Sequence, residues 1–381
     1  MNGEHGRSGP TVGVEEEFLL VDPATRGVVA AGSRVVARAA PALGACVSGE
    51  FTECQVEGKT PPCARMDELR AELLRVRTGL AAAARAEGLR LCASGTPVIG
   101  GDGCRTEIGG HPRYRAGLLQ YRRMLDDFAV CALHVHVHLP DRETAVLVGN
   151  HLRPWLPLLV AMSANSPFHE GRDTGYAAWR PVIRGRFPCL GPPPYAESLA
   201  DHLRQAEAMA ATEAVLEPGM PFWDVRPNPA LPTLEVRTMD VQPDVDGTVA
   251  LTALIRALVV TAARRVVDGD PGPRTGAELL RAAYWRAARD GWSGDGFDAP
   301  TGRRLPPSAQ AGRLFRHLRP VLRAYGDEER AAAFLRRLDA HGSAAERQRA
   351  LLAARPRLEA VVDDLVRRTC PDDDTAAPPE E

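Results

Sequence analysis

Lysine is nearly missing from this chain of 381 residues. Lysine and arginine together number 47, and Lys59 is the single lysine. It stands in Gly58-Lys59-Thr60 without the preceding glycines of a phosphate-cradling loop, so a nucleotide site of the Gly-x-x-x-x-Gly-Lys-Ser/Thr kind is excluded. A strand-linked Gly-x-Gly-x-x-Gly and a Gly-x-Ser-x-Gly elbow are likewise missing. None of the eight cysteines forms a Cys-x-x-Cys pair, which argues against a zinc finger-like site and leaves them as small core residues. Aromatic residues are only 5% of the chain and the formal net charge is −2, so neither base stacking nor electrostatic attraction to nucleic acid or anionic membrane is expected. The longest mostly apolar run, near Trp155 to Met162, is too short to span a bilayer. The polar start lacks the apolar segment of a signal peptide, which makes the cytoplasm the expected location.

What is there reads as one domain over residues 11–368, between disordered ends at 1–10 and 369–381. No Ser/Gly linker, low-complexity block or internal repeat interrupts it. Strands are expected at Thr11–Val21, Phe51–Glu57, Arg90–Ala93, Ala132–Leu139 and Leu234–Met239. Helices are expected at Met66–Glu87, Glu143–Met162 despite its prolines, an amphipathic Thr248–Val267, Gly276–Asp290 and most of Ala309–Arg368. Strands scattered among helices without regular βαβ spacing favour an α+β fold.

Four clusters could carry chemistry. In Glu15-Glu16-Glu17 a strand puts Glu15 and Glu17 on one face and Glu16 on the other. Two inward carboxylates need a neutralising partner, and a divalent ion with hard oxygen ligands suits them; an acidic edge facing solvent is the alternative. Glu53 and Glu57 share a face of the second strand, with Glu50 able to turn in from a loop. His134, His136 and His138 alternate along one strand, as metal or phosphate ligands or as hydrogen-bonded core residues. Glu235, Arg237 and Met239 fall on one face of the late strand, where Glu235 and Arg237 could form a structural ion pair or serve a metal and a phosphate side by side. Each signal is weak singly; together they describe carboxylates, one imidazole and an arginine on separate strands.

Several segments resemble the bacterial carboxylate–amine ligase family, usually labelled glutamate–cysteine ligase type 2. They are GVEEEFLLVD (13–22), EFTECQVEGKTPP (50–62), HVHV (134–137), HLRPWLPLLVAMSANSPFHEGRDTGYAAWR (151–180), FWDVRPNPALPTLEVRTMD (222–240) and WRAARDG (285–291). The resemblance implies a fold like the glutamine synthetase catalytic domain: a curved, mainly antiparallel sheet forming a funnel, with helices packed outside. It implies Glu15, Glu17, Glu50, Glu57, His134 and Glu235 as ligands of Mg²⁺, and Arg237 near the transferred phosphate. Arg180, Arg226 and Arg289 are the further candidates for ATP phosphate or substrate carboxylate, and Asn165 and Asp173 for ordering the adjoining loop. The sequence departs from the family pattern at Ala132-Leu133, His138, His169 and Gly58-Lys59.

The implied activity is ATP-dependent joining of a carboxylate to an amine through an acyl phosphate. Glutamate and cysteine are the expected small-molecule pair, and a homodimer is the implied assembly. The rivals are a phosphotransferase on the same fold, a ligase for another acid and amine, a module without catalysis, and a zinc hydrolase built on the three histidines.

Overall fold

The computed structural model describes residues 9–101, 108–215 and 223–370. Residues 1–8 and 371–381 of the tails expected at 1–10 and 369–381, together with Cys104 and Phe222, lie outside the described residues; Thr369 and Cys370 are buried, so the packed chain runs past the expected boundary at 368. The strands are β1 (Val12–Val21), β2 (Val47–Gly49), β3 (Gln55–Lys59), β4 (Arg90–Cys92), β5 (Ala132–His138), β6 (Phe168–His169), β7 (Arg172–Asp173), β8 (Val225–Pro227), β9 (Thr233–Asp240), β10 (Gly296–Asp298) and β11 (Arg303–Leu305). The main sheet runs β2-β3-β1-β5-β9-β8, with β4 beside β1, and every pairing in it is antiparallel. Two short hairpins, β6-β7 and β10-β11, stand apart.

The helices are α1 (Gly32–Leu43), α2 (Met66–Ala86), α3 (Pro112–Tyr121), α4 (Arg142–Leu152), α5 (Leu156–Ser163), α6 (Arg180–Arg184), α7 (Leu199–Ala211), α8 (Val245–Val267), α9 (Ala277–Asp290), α10 (Pro307–Tyr325), α11 (Glu328–His341), α12 (Ala344–Ala354) and α13 (Leu358–Thr369). The result is the expected α+β arrangement of an antiparallel sheet with helices outside it. The long helix expected at Glu143–Met162 is divided, because Pro154 and Pro157 cannot continue the amide ladder; a 3₁₀ turn at Arg153–Trp155 joins α4 to α5. Asp141 caps α4 by accepting from the Thr144 N–H at 3.2 Å. Gly326, at φ 75°, closes α10 in the left-handed conformation that glycine adopts without strain.

Period-2 alternation assigns the sheet's two faces. Val12, Val14, Leu133, Val135, Val137, Leu234 and Val236 enter the main apolar core against the helices. Glu16 also points that way, where Arg77 of α2 meets it at 2.5 and 2.8 Å. Gly58 is needed on this face: a Cβ there would lie 2.7 Å from a Val76 methyl of α2. Helix α8 differs from its amphipathic expectation. It is apolar nearly all round and 83% buried over its most apolar stretch, packed among α2, α4, α10, α11 and β5. A helix surrounded on all sides has no face to leave polar.

Two strand expectations change. Phe51–Cys54 form a turn and β3 begins at Gln55, so Glu53 does not share a face with Glu57; it accepts from the Ser33 N–H and hydroxyl at the start of α1. In β9 the register shifts by one residue opposite Leu133–Val135. That β-bulge turns Met239 to the apolar core, away from the face of Glu235. Helices α1, α3 and α7 and strands β2 and β8 carried no clear pattern: α1 holds an internal Pro41, and α7 buries only Ala206. The cysteines also divide. Cys46, Cys63, Cys92, Cys131 and Cys189 are free thiols, Cys46 and Cys189 only half-buried, while Cys54 is disulfide-bonded.

Candidate functional site

The sheet face opposite the main core lines a cavity of about 440 Å³. Strand register builds its floor. In one row Glu57 of β3 lies across from Glu17 of β1, with Ser48 of β2 beyond it. In the next, Lys59 lies across from Glu15, which lies across from His134 of β5. In a third, His136 lies across from Glu235 of β9, and Glu235 across from Arg226 of β8. Residues 220 positions apart in the chain are thus aligned by backbone hydrogen bonds alone.

Side-chain geometry gathers these rows into two groups whose ligand atoms lie within 4.8 Å of one another: Glu15, His134 and Glu235, and Glu17, Glu57 and His134. Glu50 enters the same cavity from the loop after β2. His134 and Glu15 meet at 3.0 Å through Nδ1. A carboxylate only accepts, so Nδ1 carries the proton and the Nε2 lone pair faces the Glu17 oxygen at 3.8 Å. Two acceptors then face each other with no proton between them, an arrangement a cation satisfies. Nε2 of His136, buried and without a hydrogen-bond partner, lies 3.5 Å from Glu15. Carboxylate oxygens with one imidazole are a hard donor set, which fits Mg²⁺ better than zinc.

Charge divides the cavity. Burial, with Glu17 and Glu57 close by, raises the Glu50 carboxyl well above its usual range. Burial and Glu15 push Glu57 up to about 7, although Lys59 opposes the rise. Glu15 and Glu235 go the other way. The two histidines hold Glu15 below its usual range against its own burial, and Arg237 and Arg226 do the same for Glu235. Burial and the Arg237 charge lower His134, keeping the imidazole neutral and able to ligate.

The arginines sort by position. Arg237 bonds Glu235 and lines the cavity. Arg226 bonds Glu235 at 3.0 Å and lines it too. Arg180 reaches it from α6, held by the carbonyls of Thr238 and Arg237 at 3.2 and 3.0 Å. Arg289 is not brought to this cavity. It lies near the end of α9, pairs with Asp290 at 2.6 Å and covers the Trp285 ring, as an arginine on an outer helix face does. His138 is exposed at the strand end. Asn165 braces the loop after α5 by donating to the Ala93 and Val241 carbonyls, and Asp173 pairs with Arg349.

Other participants had no readable signal. Arg184 of α6 is held by Asp224 at 2.8 Å, and Asn228 donates to Glu235 at 2.9 Å. A chain poor in aromatics places Phe51, Tyr114, Tyr121, Phe128 and Phe187 in one edge-to-face wall of the cavity. These residues come from loops and short helices whose convergence no local pattern encodes.

A family model described as glutamate–cysteine ligase family 2 matches residues 11–366. A protein of Salinispora arenicola named "Putative glutamate--cysteine ligase 2" is 44% identical over 363 residues, covering 95% of each chain. A relative from Nocardia farcinica, named "Putative glutamate--cysteine ligase 2-1", is 42% identical over 356 residues, covering 93% of this chain and 92% of that one. Among solved structures, a glutamate–cysteine ligase of Francisella tularensis in complex with AMP superposes with a TM-score of 0.69 at 13% identity, over 96% of this chain and 89% of that one. A bifunctional glutathione synthetase of Pasteurella multocida gives 0.68 at 13% identity, with 96% of this chain matched to 52% of that one. At such identities the structures share the fold.

Proposed function

This chain belongs to the glutamate–cysteine ligase family 2, and we propose that it is an ATP- and Mg²⁺-dependent ligase that joins the side-chain carboxylate of an amino acid to an amine, glutamate and cysteine being the first pair to test. The observation that carries the reading is the convergence of Glu15, Glu17, Glu50, Glu57, His134, Glu235 and Arg237 on one cavity.

The chemistry explains the inventory. A carboxylate does not condense with an amine in water because oxide is too poor a leaving group. Its oxygen attacks the γ-phosphorus of ATP, the bond to the ADP oxygen breaks, and an acyl phosphate forms. The amine nitrogen then attacks the acyl carbon, losing a proton as the C–N bond forms, and phosphate departs. No protein nucleophile is required; the chain supplies position and preorganised charge. Glu15, Glu17, Glu57, His134 and Glu235 would hold the Mg²⁺, with Glu50 beside them. Bound there, Mg²⁺ supplies charge neutralisation along the triphosphate. Arg237 and Arg226 aim a cationic half of the floor at the transferred phosphoryl group, and Glu235 fixes both guanidinium groups. Arg180 is the further cation toward substrate or phosphate. The aromatic wall suits the nucleotide base. Cytoplasmic location and a homodimer complete the proposal.

In a coupled assay, ADP release is expected only when ATP, an acid and an amine are all present, with the amide detected by mass. Release that is indifferent to the amine would instead favour the phosphotransferase reading.

The shifted carboxylates give a pH test. Because Glu57 binds its proton more tightly folded than unfolded, the metal-free fold loses stability as pH rises from the ordinary carboxylate range through about 7. Glu50 shifts in the same direction. Glu15 and Glu235, held low, stay ionised across that window. Metal binding requires the deprotonated ligands, so the rise in melting temperature caused by Mg²⁺ is expected to be larger at about pH 8 than at about pH 6. Thermal scans with and without Mg²⁺ check this, and an increment that shrinks with pH would contradict it.

A further inference from the structure

The one lysine of this arginine-rich chain lies inside the acidic half of the cavity. Its position is set by the backbone: Lys59 lies across from Glu15 in the β1–β3 register, and two residues along the same strand face from Glu57. Its Nζ is 2.7 Å from Oε2 of Glu57. The Ser48 hydroxyl donates to that same oxygen, also at 2.7 Å. A carboxylate oxygen offers two lone pairs, so these two donors use up Oε2. By that count Oε1 is the Glu57 oxygen open to an ion in the group with Glu17 and His134, and Oε2 has no lone pair left to bridge a second one.

We propose that the Lys59 ammonium is a built-in cation of this site, occupying at Glu57 the space a further divalent ion would take and thereby limiting how many ions the cavity holds. The inference rests on the metal-dependent reading of the cavity and deepens it. An ammonium suits the role as a compact point charge that approaches a carboxylate from any side. Glu15, Glu17, Glu50 and Glu57 crowd this half, while the guanidinium groups of Arg226 and Arg237 are engaged by Glu235 on the other. Lys59 is the cation within bonding distance of Glu57 among the described residues, and its side chain is 36% exposed at the cavity rim.

The experiment is a titration with Mn²⁺ alone, counting bound ions per chain by electron paramagnetic resonance of the free metal. Lys59→Met is expected to bind one more Mn²⁺ than the wild type, because Oε2 of Glu57 becomes available. Lys59→Arg, which keeps the charge, is expected to retain the wild-type count. Circular dichroism melts confirm that both variants are folded, as partial exposure of the side chain leads one to expect. Equal, non-zero counts for wild type and Lys59→Met would overturn the role of Lys59 and leave the metal site standing. Binding of no Mn²⁺ by any of the three proteins would overturn the metal-dependent reading itself. An extra ion in Lys59→Arg as well would show that shape, and not charge, excludes it, and would also overturn the proposal.

Discussion

Glu235→Gln is expected to lower ATP turnover by on the order of 10³-fold while the protein still unfolds cooperatively. Three donors converge on this carboxylate: Arg226, Arg237 and Asn228. It also belongs to the group with Glu15 and His134. Glutamine keeps its shape but removes the charge that fixes two guanidinium groups and that would ligate Mg²⁺. Glu235→Ala should lose as much activity and also some stability, since the buried Arg226 and the half-buried Arg237 would be left side by side without their shared counter-charge. Glu17→Ala should match it in turnover. Its Oε2 accepts the Ala132 N–H at 2.7 Å, so part of its loss is positional, and Glu17→Gln separates the two effects. Each variant is checked by ADP release alongside a chemical denaturation curve. Wild-type ADP release by Glu235→Gln would remove that residue from the ligand set.

Arg77→Met is expected to produce the largest loss of stability, about 3–5 kcal/mol, with little direct effect on the chemistry. Arg77 and Glu16 are both about 1% exposed. The pair is bidentate, and Arg77 also donates to the carbonyls of Gln242 and Pro243 at 2.9 and 3.0 Å, while Thr248 donates to Glu16 at 2.6 Å. Removing the guanidinium leaves a carboxylate in the core without a counter-charge and three segments without their tie. Urea denaturation should show the lower midpoint, and Mn²⁺ binding by the folded fraction should stay at the wild-type count. A midpoint unchanged from wild type would mean that the ion pair contributes nothing. Adjacent glutamates would then differ as expected from their faces: Glu16 in stability, Glu15 and Glu17 in turnover.

Much of this was legible one strand at a time. Alternation alone separates Glu15 and Glu17 from Glu16, and it puts His134 and His136 together, because successive side chains of a strand leave on opposite sides. Helices with strong periodicity, such as α2 at Met66–Ala86, were readable within a residue. The same rule misplaced Met239, since a bulge in β9 adds one residue and reverses every later side chain. It also misplaced Glu53, where a turn precedes β3. Arg289 looked like any other arginine of a phosphate site because an isolated charge carries no record of which surface it will face.

The amino-acid order determined which residue types share a strand face, where the long helices run, and which family pattern the chain carries. Only the tertiary structure decided that β1, β3, β5 and β9 align their polar faces in adjacent rows, that aromatic side chains from separate loops close one wall, and that Lys59 falls across from Glu15. The reason is physical. Periodicity is a property of neighbours along the backbone, whereas a cavity is made by registers between strands distant in sequence, and those are set by the packing of the whole sheet against its helices.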